Sequence, residues 1–300
     1  MRLLVPIAIT IFLLGSSIAL YSQGSETGQD RKSSIQHIAA SGANGAIMLQ
    51  GDIKGRHIGP VIIDDAYRAI ETDKLATVEG LIVDGVTARV QRECFRVRGN
   101  DITIRNMHCE KIGPPQVRPN LPEGLHIETG NNIVIEDSSM QGFQMTMDPD
   151  RYWNGDGVAA ELPVTGLQIL RVTSNGNTDA GFDIKPPIVM DDVSASDNCR
   201  NFRFWARSDI GTITVGDTIK RGGRTNCAGI WVKGNVEAPP VIHIKKLIVR
   251  MKNPGEIIRV EDGPAEIIVD QCDIQAPPGS TMLHMPHPDG KESLGPSCKT

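Results

Sequence analysis

Between residues 95 and 261 the hydrophobic and polar positions repeat one short alternation. It appears as FRVR from Phe95, LHIE from Leu125, VAAE from Val158, FDIK from Phe182, NFRFW around Phe202, IWVK from Ile230 and IRVE from Ile258. In each segment the first and third residues are apolar and the second and fourth face the other way, the period of a strand with one buried side. The starts lie 30, 33, 24, 20, 28 and 28 residues apart. That spacing is too long for hairpins and suits one strand per turn of a solenoid.

Glycine precedes the segment at Gly124, Gly157, Gly181 and Gly229, where a tight corner is expected. Four residues before the start stand Asn154, Thr178, Asn198 and Asn226, and asparagine suits turn geometry and stacked hydrogen bonds. With these features the chain resembles the right-handed parallel β-helix proteins, the pectate-lyase-like solenoids, over residues 78 to 275. The fold class expected is all-β: a right-handed parallel β-helix solenoid with an N-terminal cap and an irregular C-terminal tail.

Outside that span the pattern changes. Residues 1–22 carry one arginine, an apolar run and small residues, the order of a secretory signal peptide, with an uncleaved anchor as the alternative. Residues 23–36 read as a polar linker. Residues 37–77 are expected to form the cap and first coils, with DDAYRAIETDKLA as a helical patch. Residues 276–300 are proline-rich and expected to be irregular. The 31 glycines and few aromatics favour turns and strands, and a net charge of −5 argues against a nucleic-acid partner. Of six cysteines, Cys199 and Cys227 occupy one site on adjacent coils, so they either bridge or stack as free thiols.

Candidate chemistry sits on the outward positions. The nearer column reads Arg96, His126, Ala159, Asp183, Arg203, Trp231 and Arg259; the further one reads Arg98, Glu128, Glu161, Lys185, Trp205, Lys233 and Glu261. Ionisable residues mixed with two tryptophans make a glycan-binding groove or, as the plain alternative, a salt-bridge ladder that keeps a sheet soluble. A loop beside it, MTMDPDRYWNGD, brings Tyr152 and Trp153, whose flat rings would stack on a pyranose or only pin the loop. Arg203, Arg207, Lys185 and Lys233 supply donors for carboxylate or sulfate, so the partner expected is an acidic polysaccharide.

The resemblance extends in part to the polygalacturonase-like hydrolases. Asn154-Gly155-Asp156-Gly157 looks like their N-T-D-G segment, and Asp179 lies where their paired aspartate begins, but Ala180 breaks that pair and their Gly-His-Gly is replaced by Arg200-Asn201. A lyase would instead use Lys185 or Arg203 as base with Arg207 or Lys233 neutralising the uronate. Calcium is possible, as in other β-helix lyases, although Asp148 and Asp150 are too few for a site; otherwise no cofactor is expected. A retaining hydrolase would pair Glu128 with Glu161 one coil apart. The function expected is an exported protein that binds and cleaves an acidic polysaccharide, with a non-catalytic glycan-binding envelope protein as the alternative. Catalytic candidates are Lys185, Asp183, Arg203, Glu161 and Glu128; binding candidates are His126, Tyr152, Trp153, Asp156, Trp205, Arg207, Trp231 and Lys233.

Overall fold

The computed structural model describes residues 36–39, 45–115, 121–146, 154–221 and 226–298. The expected signal segment and nearly all of the expected linker therefore lie outside the described residues, as do Asp148, Asp150, Tyr152 and Trp153. Within them the chain coils as a parallel β-helix, as the alternation predicts, with three ladders of strands: the first carries the alternating segments, the second passes through Ile102, Ile133, Leu167 and Ile188, and the third through Ser139, Thr173, Ser194 and Thr214.

The first ladder holds every segment found in the sequence, in the register the apolar positions imply. Phe95 pairs with Leu125, Leu125 with Val158, Val158 with Phe182, Phe182 with Phe202, Phe202 with Ile230 and Ile230 with Ile258. These side chains are fully buried, and the rings of Phe182 and Phe202 stack at 5.0 Å. A register slip of one residue would turn the whole set to solvent, so the core itself fixes the pairing.

The solenoid runs further than the alternation shows, in both directions. Ile70 pairs with Phe95 and Ile47 with Ile70, so the expected helical patch is strand Val61–Thr72. Its apolar positions at Ala66, Ala69 and Ile70 mimic a helical stripe because the strand bends there, with register shifts between Ile63 and Arg68. The tail is also not irregular throughout: Thr281–His284 and Lys291–Leu294 add parallel strands to the last coils. Prolines fall between these strands, where no ladder hydrogen bond is lost.

The second and third ladders meet at a sharp corner. Gly85, Asn106, Asp137, Arg171 and Asp192 occupy it on successive coils, each with positive φ between 50° and 73°. Residues that tolerate this conformation predominate there; Arg171 is the exception, and its guanidinium is held by Asp137 at 2.6 Å and Glu136 at 2.9 Å.

Three disulfides clamp the solenoid. Cys199–Cys227 bridges adjacent coils with Cα atoms 4.5 Å apart, so the bridged alternative holds for this pair. Cys94–Cys109 and Cys272–Cys298 are further bridges that the spacing alone does not reveal. The asparagine stack differs by one position from the expected one: Asn198 Oδ1 accepts from the backbone N–H of Asn177, whose own Oδ1 accepts from Phe143. Thr178 instead accepts from the Met145 N–H. No described helix is long and apolar enough to cross a membrane.

Candidate functional site: the outward face of the first ladder

Three columns, not two, face outward on the first ladder. The third lies two residues before each segment start and includes Arg68, Glu93, Glu123, Asp156, Arg200 and Glu256. Strict alternation would bury these residues among the apolar ones. The residue that follows (Gly124 after Glu123, Gly157 after Asp156, Cys94 after Glu93, Asn201 after Arg200) resets the phase, because it and the next residue are both buried. A Cβ on Gly157 would meet Ser174 Oγ at 1.7 Å, and one on Gly229 would meet the buried Val215 side chain at 2.5 Å. The sequence signal is a charged residue recurring two positions before the segment start, at Glu93, Glu123, Asp156, Arg200 and Glu256.

Around the first described coils this face is an ion-pair ladder. Arg68 bridges Glu71 and Glu93 at 2.9 Å each, and Arg96 bridges Glu93 at 2.7 Å and Glu128 at 3.4 Å. Arg98 holds Glu128 and also donates to the Thr72 carbonyl. Glu128 is thus committed to two arginines, and Glu161 to Lys185. The two carboxylates therefore do not stand as a free pair for double displacement. His126 Nδ1 lies 2.6 Å from Glu123 Oε2. Burial pulls the imidazole pKa down, but the hydrogen bond and charge of Glu123, with Glu128 and Glu93, outweigh it and raise it above the ordinary 6.5.

The middle coils bring different chemistry together. Asp156, Asp179 and Asp183 converge there with Arg200 and Arg203, all buried. Arg200 Nη1 lies 3.1 Å from Asp179, and Arg203 Nη1 lies 3.7 Å from Asp179 and 3.3 Å from Asp183. Asp156 Oδ1 accepts from the Ala180 N–H at 2.7 Å, whereas its Oδ2 has no hydrogen-bond partner among the described residues. Burial drives the Asp156 carboxyl well above its ordinary 3.8, with Asp183, Asp179 and Glu123 adding to the rise. Burial also raises Asp183, against the opposing charges of Arg203 and Lys185 and the Trp205 indole N–H. Two carboxyls are thereby biased toward the protonated form beside cations.

Trp205 sits half-buried at the rim of this cluster. Its Nε1 donates to Asp183 Oδ1 at 2.9 Å, and Arg203, Lys233 and Lys185 lie 4.7, 4.8 and 6.0 Å from its ring centroid. The ring is thus surrounded by cations as well as turned toward solvent. Lys185 Nζ donates to both oxygens of Glu161, at 2.7 and 2.6 Å. An ammonium held this way is a positive group, better suited to meeting a substrate anion than to taking a proton. Arg203 is packed between Asp183 and the rings of Trp205 and Trp231, and is no better placed as a base.

Trp231 is buried, stacked under Arg200 and Arg203, and donates to Glu261 at 2.9 Å, so it supports the arginines and presents no platform. Arg207 leaves the cluster altogether: exposed, it forms a double hydrogen bond to Asp209 at the start of the second ladder. Lys233 stays in the groove, paired with Asp262 at 3.1 Å.

No protein-family model matches the chain, and no curated protein matches it. Solved structures similar to it include two lyases. One is an alginate lyase from Paenibacillus sp. str. FPU-7, at 13% identity and a TM-score of 0.47, covering 84% of this chain and 79% of that one. The other is pectate lyase Pel9A, at 13% identity and a TM-score of 0.46, covering 83% of this chain and 71% of that one. At such identity no residue role passes from either.

The described carboxylates do not fit a calcium ion. Asp179 and Asp183 face guanidinium groups, Glu161 faces an ammonium, and no group of three or more candidate ligands is arranged for a metal among the described residues. An open cleft of about 390 Å³ lies elsewhere, between the third ladder and its turns, lined by Ser194, Thr214, Asp217 and Lys252. Its charges are largely engaged, since Asp217 Oδ1 accepts from the N–H groups of Lys252 and Asn253.

Proposed function

We propose that the chain is an exported protein that binds an acidic polysaccharide along this groove and cleaves it. The observation that carries the reading is the grouping of Lys185, Arg203 and Lys233 around Trp205, next to an Asp183 carboxyl of raised pKa. Lys185 and Lys233 are partly exposed and would exchange Glu161 and Asp262 for a carboxylate or sulfate of the ligand. Asp183 would give its proton to the departing glycosidic oxygen, the task for which a raised carboxyl pKa is suited. Glu161, freed from Lys185 by the incoming anion, would activate water from the adjacent coil. Three disulfides accord with an oxidising compartment, hence export.

A second reading, binding without cleavage, is favoured by one fact: Asp183 is only 4% exposed. The test is incubation with a panel of uronate and sulfated glycans, following new reducing ends and the ultraviolet absorbance of unsaturated uronates. Reducing ends alone are expected. An ultraviolet gain would replace the acid mechanism by elimination, and binding with neither signal would leave the second reading. No binding to any acidic glycan would overturn both.

A further inference from the structure

Between the arginine ladder and Arg259, the groove crosses five coils, with first-ladder segments starting at Leu125, Val158, Phe182, Phe202 and Ile230. Its partly exposed cations fall on the first, third and fifth of them: His126, Lys185 and Lys233, with side chains 18, 25 and 38% exposed. Among the described residues, the outward columns of the coils between offer none. The second carries Ala159 and Glu161 in those columns, and the fourth carries Arg203, a buried cation beneath Trp205. At the two ends Arg96 lies between Glu93 and Glu128, and Arg259 between Glu256 and Glu261, so carboxylates flank the run.

Each of the three cations has capacity for another partner. His126 uses Nδ1 toward Glu123, and its Nε2 has no hydrogen bond among the described residues. Lys185 directs its ammonium to one carboxylate, and Lys233 makes one hydrogen bond, 3.1 Å to Asp262, beside the Trp205 ring. Successive cations are two coil spacings apart, about 9–10 Å along the axis. An extended 1,4-linked pyranose chain advances by close to one coil spacing per ring, the span of one chair between its two linkage oxygens. We propose that the groove reads a linear acidic glycan whose protein-facing anionic groups recur on every second ring, one docking at each of His126, Lys185 and Lys233. The proposal rests on the groove being a glycan site and adds to it the charge period of the ligand. The carboxylates of Glu123, Glu128 and Glu93 keep His126 cationic to higher pH than a free imidazole, which suits it to the first position.

The test is calorimetric titration of the full chain with oligosaccharides that alternate a uronate with a neutral sugar. The trisaccharide carries two uronates and the pentasaccharide three; a fully charged five-ring oligogalacturonate serves as comparison. The pentasaccharide is expected to bind roughly tenfold tighter than the trisaccharide, one charge-assisted contact more, and no weaker than the oligogalacturonate. Lys233→Gln or His126→Gln should bring the pentasaccharide to the affinity of the trisaccharide, with thermal melts as the check on folding; should His126→Gln fail to fold, Lys233→Gln carries the comparison. Equal affinity of the two lengths, or tighter binding of the oligogalacturonate, would overturn the charge period while the acidic-glycan site stands. If none of the three binds, the site reading itself falls, and this proposal with it.

Discussion

Lys185 and Glu161 lie on adjacent coils, and the lysine ammonium donates to both oxygens of the carboxylate, at 2.7 and 2.6 Å. The pair is partly exposed, so it contributes little to stability, on the order of 1 kcal/mol or less. Its position beside Trp205 and above buried Asp183 gives it a role in the groove. Lys185→Ala is expected to weaken binding of an acidic glycan by about 1–3 kcal/mol, the loss of a charge-assisted hydrogen bond. The melting temperature should stay within a few degrees. A variant with unchanged binding and a clearly lower melt would make the pair a structural strut.

Phe182 stacks on Phe202 at 5.0 Å and is fully buried. Phe182→Ala should cost about 3–5 kcal/mol through the cavity it leaves. Phe182→Asp should cost more, since a buried carboxylate there has no partner. Urea unfolding monitored by circular dichroism measures both; a midpoint unchanged in either variant would contradict the inward placement.

Asp156 makes stability depend on pH. Its folded pKa is raised far above the 3.8 at which the unfolded carboxyl ionises, so in that window the folded chain binds the extra proton. Stability from this group is therefore lost as pH rises from about 4 toward the folded value, and no more is lost above it. Asp156→Asn keeps an oxygen for the Ala180 N–H and removes the ionisation. Unfolding free energies taken across the acidic and neutral range should fall with pH in the wild type more than in the variant. Parallel curves would mean that Asp156 is ionised in the fold.

His126 acts over a higher window. Its raised pKa favours the folded state below the ordinary 6.5, and that contribution disappears as pH climbs through the folded value. An NMR titration of the ring nitrogens should place its midpoint above that of a free imidazole. Glu123→Gln should lower it; an unmoved midpoint would remove Glu123 as the cause.

Cys199–Cys227 closes a separation of 28 residues. Loss of that constraint in a Cys199→Ser, Cys227→Ser variant is expected to cost about 3–4 kcal/mol on the chain-entropy account. A calorimetric melt of the oxidised variant against the wild type checks it.

The sequence by itself determined the parallel β-helix and the register of its first ladder. Buried apolar residues must recur at every coil, and seven such segments lie open to reading from Phe95 to Ile258. It also determined that Lys185 stands between Glu161 and Trp205, because outward neighbours follow from register alone. The rungs at Ile47, Ile70 and Leu283 were hidden, since bends and prolines break the alternation there while backbone pairing continues. Only the tertiary structure brought Asp156 and Arg200 onto the same face as Asp183. Gly157 and its counterparts on the other coils pack against the interior and reset the phase, which periodicity cannot express. Only the fold also decided the state of each charge: Arg207 turns to Asp209, Trp231 goes under two arginines, and burial raises two carboxyls beside them. Those outcomes depend on which side chains approach across coils and how little water remains between them, and neither quantity is carried by residue order.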